Sequence, residues 1–161
     1  MREYDEWKKR ESMEWLRHVR GLSLDMLRMS ESYDDTVEVI RRLAEPRGID
    51  YARPAVSTSR NVDAMADVVA AMVELEEAWR DSKVAVAQEL KEAKEVVDRL
   101  PDARHRAAVT LYYLDHARTW AEVADKMGYE ESSVYDILDG AAVALHDLLP
   151  PEWRTRIPSS E

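Results

Sequence analysis

Cysteine is absent from the chain, which excludes disulfides, zinc ribbons, iron–sulfur clusters and thiol nucleophiles. Glycine occurs only four times against 35% charged residues, a balance that favours helices with solvated faces. No run approaches the roughly 20 consecutive apolar residues of a membrane span, and the opening MREYDEWKKRESMEW lacks the apolar centre of a signal peptide. The expectation is a soluble, cytoplasmic chain with no membrane contact.

Catalytic patterns are missing as well. There is no G-x-S-x-G elbow, phosphate loop or dinucleotide fingerprint. His18, His105, His116 and His146 show no ligand spacing and read as ordinary surface or helix-end residues. Glu74, Glu77 and Asp81 alternate with Arg80 and Lys83, as a solvated helix face does rather than a carboxylate metal box. The chain is expected to be no enzyme and to carry no metal or cofactor.

What is present is helical periodicity. The 161 residues suit one domain, or a small domain on a long helical stem. Trp7, Trp15, Leu16, Val19, Leu22, Met26 and Leu27 recur at threes and fours, predicting an amphipathic helix over about residues 3–30. Gly21 weakens its middle and permits a bend. A second helix is expected from Ser32 or Asp34 to Ala44, with Asp34 and Asp35 at its start and Arg41 and Arg42 at its end. EPRGIDYARPAVSTSRN, residues 45–61, reads as a loop because its two prolines disfavour helix. Such a loop is functional or mobile, or else a surface strap packed through Ile49, Tyr51 and Val56.

From Ala55 to Leu100 there is neither glycine nor proline. Asn61 or Ser59 can cap a helix running to about Arg99. Val62, Met65, Val69, Met72, Glu76, Trp79, Val86, Leu90, Ala93 and Val97 follow a near-heptad stripe. About 39 helical residues span roughly 58 Å, and such a stripe needs the N-terminal helix, a second copy of the chain, or both to cover it.

Residues 101–151 divide into three short helices. The first, Arg104 to Leu114, should bury Ala107, Ala108, Leu111 and Leu114. Thr119 and Glu122 form a capping box for a helix from Trp120 to Met127, which Gly128 ends in the left-handed conformation. A third helix starts within Glu130 to Ser133 and buries Val134, Ile137, Leu138, Ala141, Ala142 and Leu145. Pro150 and Pro151 stop it, leaving residues 152–161 as a tail. Short helix, glycine turn and longer helix make a helix-turn-helix layout, with small Ala124 where the two helices cross. The fold class is therefore all-α: a helical stem and assembly region over 1–100, followed by the helix-turn-helix module over 101–151.

The segment LYYLDHARTWAEVADKMGYEESSVYDILDGAAVALHDLL resembles the fourth region of sigma factors. Stem and tail together resemble small prophage-encoded proteins of Gram-positive bacteria with a sigma-like C-terminal module, described as of unknown function or as transcriptional regulators. The likeness covers about residues 10–150, most strongly 104–148. It implies a helical fold and a role in phage gene expression, in the cytoplasm of a bacterial or phage-infected cell. Double-stranded DNA and RNA polymerase are the partners it suggests, and the long helix adds a homodimer.

The charge pattern cuts across that resemblance. Residues 1–60 balance 12 basic against 12 acidic side chains, whereas 61–100 and 101–161 each carry −5. Sigma-like readers place arginine or lysine on the third helix, yet there is none from Met127 to Trp153. That stretch holds Glu130, Glu131, Asp136, Asp139, Asp147 and Glu152 instead. DNA would have to be held by Arg104, Arg106, Arg118 and Lys126 from the flanking helices, with Thr119, Ser132, Ser133 and Tyr135 as hydrogen-bonding groups. Alternatively, Ser132 and Ser133 merely cap a helix, and Tyr112 and Trp120 pack rather than stack on bases. An acidic module could equally bind a basic protein surface.

Overall fold

In a computed structural model the chain is all-helical, and the structure describes residues 2–44 and 58–155. Five α-helices follow in order: α1 (Arg2–Ala44), α2 (Thr58–Asp98), α3 (Ala103–Val109), α4 (Trp120–Met127) and α5 (Glu131–His146). A π-helical turn, Thr110–Leu114, extends α3, and a 3-10 turn, Pro151–Trp153, follows α5. The loop expected at 45–61 lies outside the described residues apart from its last four positions, which already belong to α2.

The two N-terminal helices expected from the sequence are one. Gly21 is exposed and sits inside α1 with no heavy atom within 4 Å of a would-be Cβ. Its cost of roughly 1 kcal/mol is offset by neighbours that bury: Val19 and Ser23 are both inaccessible. The hydroxyl and acidic residues around 30–36 do not cap a new helix. Ser30 Oγ donates to the Met26 carbonyl at 3.2 Å and Thr36 Oγ1 to the Ser32 carbonyl at 2.8 Å, which is how such residues are held inside a helix.

The helices contribute to two compact units, residues 1–25 with 86–161 and residues 26–85. The first unit has a true core. Trp15, Leu16 and Val19 of α1 meet Ala93, Val96, Val97 and Leu100 at the end of α2, together with Val109, Tyr113, Leu138, Ala141, Leu145 and Leu149. A second cluster, Ala117, Val123, Ala124 and Val134, fastens α4 to α5. Packing thus runs from α2 straight into the module, across Leu100.

Within α3 the buried set differs from the expected one. Ala108 is buried, but Val109 and Tyr113 take the places expected of Leu111 and Leu114, which are only half-buried. The difference begins at Val109, ahead of the π turn, in which the Asp115 N–H bonds to the Thr110 carbonyl five residues back, at 2.8 Å. Val109 and Tyr113 stand four residues apart on one helical face, and burial pushes the Tyr113 phenol up to about 12.

In the second unit, Tyr33 of α1 stacks on Trp79 of α2 with ring centres 4.6 Å apart, and Lys83 lies 4.3 Å over the same indole. Met65 and Val69, placed on the core stripe by their spacing, are exposed.

Candidate nucleic-acid interface

The module's local construction follows from its caps. Asp102 accepts the Arg104 amide at 2.8 Å and starts α3. Thr119 Oγ1 accepts the Glu122 amide at 3.2 Å and starts α4. The Glu122 carboxylate reaches back one residue further than a regular capping box, to the Arg118 amide at 2.8 Å. Gly128, at φ 72°, closes α4 in the left-handed region, where a side chain would be strained. Glu130 occupies the N-cap of α5 without a side-chain bond, so neither Ser132 nor Ser133 caps that helix; both lie inside its first turn.

Ser132, Tyr135 and Asp136 project to solvent from the start of α5, and Ser133 is half-buried. The Tyr135 hydroxyl donates to Glu131 Oε1 at 3.1 Å, and its ring lies 6.1 Å from that of Trp120. Trp120 is itself stacked on Tyr112 at 3.9 Å, so both large rings are packing elements of the module.

The basic side chains have local partners. Arg104 Nη2 pairs with Asp102 Oδ2 at 2.9 Å. That guanidinium holds the Asp102 carboxyl down at about 2. The Tyr129 hydroxyl, in the turn before α5, also favours charged Arg104. Lys126 pairs with Glu122 at 2.9 Å and keeps that carboxyl below its ordinary range. Arg106 points elsewhere: its guanidinium donates to the Leu100 carbonyl and to the Pro101 carbonyl at 3.1 Å, closing the end of α2. Arg118 and Thr119 are exposed at the start of α4. Arg104, Arg118, Thr119, Lys126, Ser132 and Tyr135 are each exposed on α3, α4, α5 or their turns, and Arg106 has a structural task.

Sequence reasoning missed the part played by α1. Lys9 pairs with Asp139 at 2.8 Å and Lys8 with Asp147 at 2.9 Å, which lowers the Asp147 carboxyl. Two of the six carboxylates between Met127 and Trp153 are thus answered from within the chain. Next to them, Glu11 and His146 form a buried pair at 2.8 Å, with the Trp7 ring 4.8 Å from the imidazole. The Thr155 amide donates to the same Glu11 carboxylate at 3.1 Å. Farther along α1, Ser23 Oγ donates to the Leu114 carbonyl at 3.1 Å and lies 3.1 Å from Nδ1 of His116, whose φ is 64°. The signal available in the sequence was the surplus of base on residues 8–20 opposite acid on 130–152.

Among the described residues no group of histidine, aspartate and glutamate could hold a metal ion, and no helix is long and apolar enough to cross a membrane. No curated protein and no solved structure matches the chain. The family described as "Protein of unknown function (DUF1492)" matches residues 55–146, more than half of the chain, and the chain belongs to that family.

Proposed function

We propose that the chain is a non-enzymatic, cytoplasmic transcriptional regulator of the phage type, docking on DNA through α4 and α5. The observation that carries this reading is the α4–Gly128–α5 arrangement, with the first turn of α5 open to solvent. The likeness of the same residues to sigma region four supports it. In this reading Arg104, Arg118 and Lys126 hold phosphates, while Ser132 and Tyr135 face the groove. Three phosphate contacts give a shallow salt dependence, a slope of about −0.9 per contact in log K against log salt. Anisotropy titration of pooled phage promoter fragments at two salt concentrations tests it. Binding should weaken with salt and fall further in Arg104→Ala and Arg118→Ala; no binding at low salt removes the DNA reading.

A specific observation favours a second reading. Glu130, Glu131, Asp136 and Glu152 remain exposed after Lys8 and Lys9 have taken their partners. A surface of that sign suits a basic protein surface, and RNA polymerase is the partner the sigma likeness suggests. Binding to purified polymerase that Glu131→Lys abolishes, with DNA ignored, is the outcome that selects it.

A further inference from the structure

Where a helix ends, its last carbonyls lack partners within it. At the end of α3 and its π turn, α1 supplies them. The Arg20 guanidinium donates to the Tyr112 carbonyl and, at 3.2 Å, to that of Ala117. Ser23 Oγ donates to the Leu114 carbonyl at 3.1 Å. The amides of the same stretch bond back to the π turn, Asp115 N–H to Thr110 and Ala117 N–H to Leu111 at 3.0 Å. The turn that leads into α4 is therefore shaped from one side by α3 and from the other by α1.

His116 stands in that turn at φ 64°, and among the described residues it is the only one other than glycine with a positive φ. A side chain in this region persists only where its surroundings hold it. Ser23 is part of that hold, with its Oγ 3.1 Å from Nδ1. Rings extend the connection. The Arg20 guanidinium lies 3.9 Å from the centre of the Tyr112 ring, which stacks on Trp120 at 3.9 Å. Trp120 is the first residue of α4, and its ring is 6.1 Å from that of Tyr135 on α5. A continuous line of contacts joins α1 to the exposed first turn of α5.

The size of α4 makes this matter. It has eight residues and is fastened to α5 by Ala117, Val123, Ala124 and Val134. Apolar packing is non-directional, so it keeps the two helices together and leaves the orientation of α4 to the polar contacts at its start. A docking face has to be held within about 0.5 Å of the geometry it needs.

We propose that Arg20 and Ser23 are positioning residues for the docking of α4 and α5 on DNA. By fixing the turn before α4 they set where Arg118 and Lys126 stand relative to the first turn of α5. Neither touches the nucleic acid: the half-buried Arg20 is turned to carbonyls and a ring, and Ser23 is buried. This role rests on the DNA reading. It adds that α1, which lies outside the residues matched to the family, is part of the docking machinery.

The test titrates the full chain, Arg20→Gln, Ser23→Ala and Arg118→Ala against pooled phage promoter fragments at two salt concentrations. The temperature is one at which circular dichroism shows every protein folded. Arg20→Gln and Ser23→Ala should each bind roughly 10-fold more weakly and keep the parent's salt slope. Arg20→Gln removes a charge as Arg118→Ala does, so the slope separates the two roles: Arg118→Ala should lower it by about 0.9. Hydrogen exchange in both positioning variants should quicken at the amides of residues 115–123 more than at 138–146. Full affinity in either positioning variant, while the parent binds, overturns the proposal and leaves the DNA reading standing. A slope lowered in Arg20→Gln also overturns it, because Arg20 would then hold a phosphate itself. So does unchanged exchange at 115–123. A parent that ignores DNA at low salt removes the DNA reading and this role together.

Discussion

The guanidinium of Arg20 lies 3.9 Å over the ring of Tyr112 and also donates to the carbonyls of Tyr112 and Ala117. Tyr112 in turn stacks on Trp120, so a helix at the start of the chain clamps the π turn and the first residue of α4 together. Arg20→Lys keeps the charge and loses the planar fork. It should cost about 2 kcal/mol, read from urea unfolding, with Tyr112→Leu costing no more on top of it than alone.

The buried pair of Glu11 and His146 offers a second test. Removing one partner of such a pair strands the other away from water, at about 3 kcal/mol. Glu11→Ala should show that loss, and Glu11→Ala combined with His146→Leu should lose less than the two single changes summed. A double-mutant cycle by chemical denaturation measures the coupling.

Acid should weaken the fold in a defined window. Asp102 is held at about 2 against an ordinary 3.8 by Arg104. Asp147 is lowered by Lys8 and Glu122 by Lys126. Each depressed carboxylate contributes stability that is complete above its unfolded value and is lost as pH falls through its folded value. Stability should decline from about pH 4.5 towards pH 2. Asp102→Asn preserves the N-cap oxygen and removes the ionic partner of Arg104, so it should flatten the lower end of that decline in unfolding curves taken across the range.

Gly128 tests the turn itself. Its φ of 72° costs an L-residue about 1 kcal/mol, and nothing stands within 4 Å of an added Cβ. Gly128→Ala should therefore destabilise by that amount through the backbone alone, with thermal unfolding as the measure. Gly128→Asn should recover part of it, because asparagine tolerates this region better.

A fragment of residues 101–161 should not fold alone. Trp15, Leu16 and Val19 and the last turns of α2 supply much of the core beneath α5. The isolated module should give weak helical circular dichroism and poorly dispersed amide resonances, and adding a peptide of residues 2–25 should not restore it without the end of α2. A well-dispersed fragment would mean that α3, α4 and α5 bury enough among themselves.

What could be read from the sequence was what local chemistry encodes. Helix α4 was legible to the residue, because Thr119, Glu122 and Gly128 are signals that act within one turn. The end of α2 was legible from Leu100, Pro101 and Asp102. Misreadings arose where a local signal had another use. Ser32, Asp34 and Asp35 look like a helix start, but the helix runs on through them and the nearby Ser30 and Thr36 hydroxyls bond backwards. Tyr113 was missed because the expected stripe ran through Leu111 and Leu114, off the face that Val109 and Tyr113 share. The pairs Arg104–Asp102 and Lys126–Glu122 are close in sequence and could have been anticipated from spacing. Lys8–Asp147 and Lys9–Asp139 were signalled only by opposite charge surpluses and not pair by pair, since complementarity across more than a hundred residues leaves no periodic trace.

The unit that contains α4 and α5 draws on both ends of the chain, with Glu11 and His146 separated by 135 residues. On a ribosome, the first turns of α1 emerge long before anything they pack against exists. Trp7, Trp15, Leu16 and Val19 must wait, uncovered, until the end of α2 and then α5 have been made. Closing so long a loop is entropically costly and slow, and an apolar helix left open during synthesis invites chaperones and aggregation. Synthesis of α5 thus becomes the event that completes the module, and a ribosome stalled before α5 holds a chain in which that core has closed only in part.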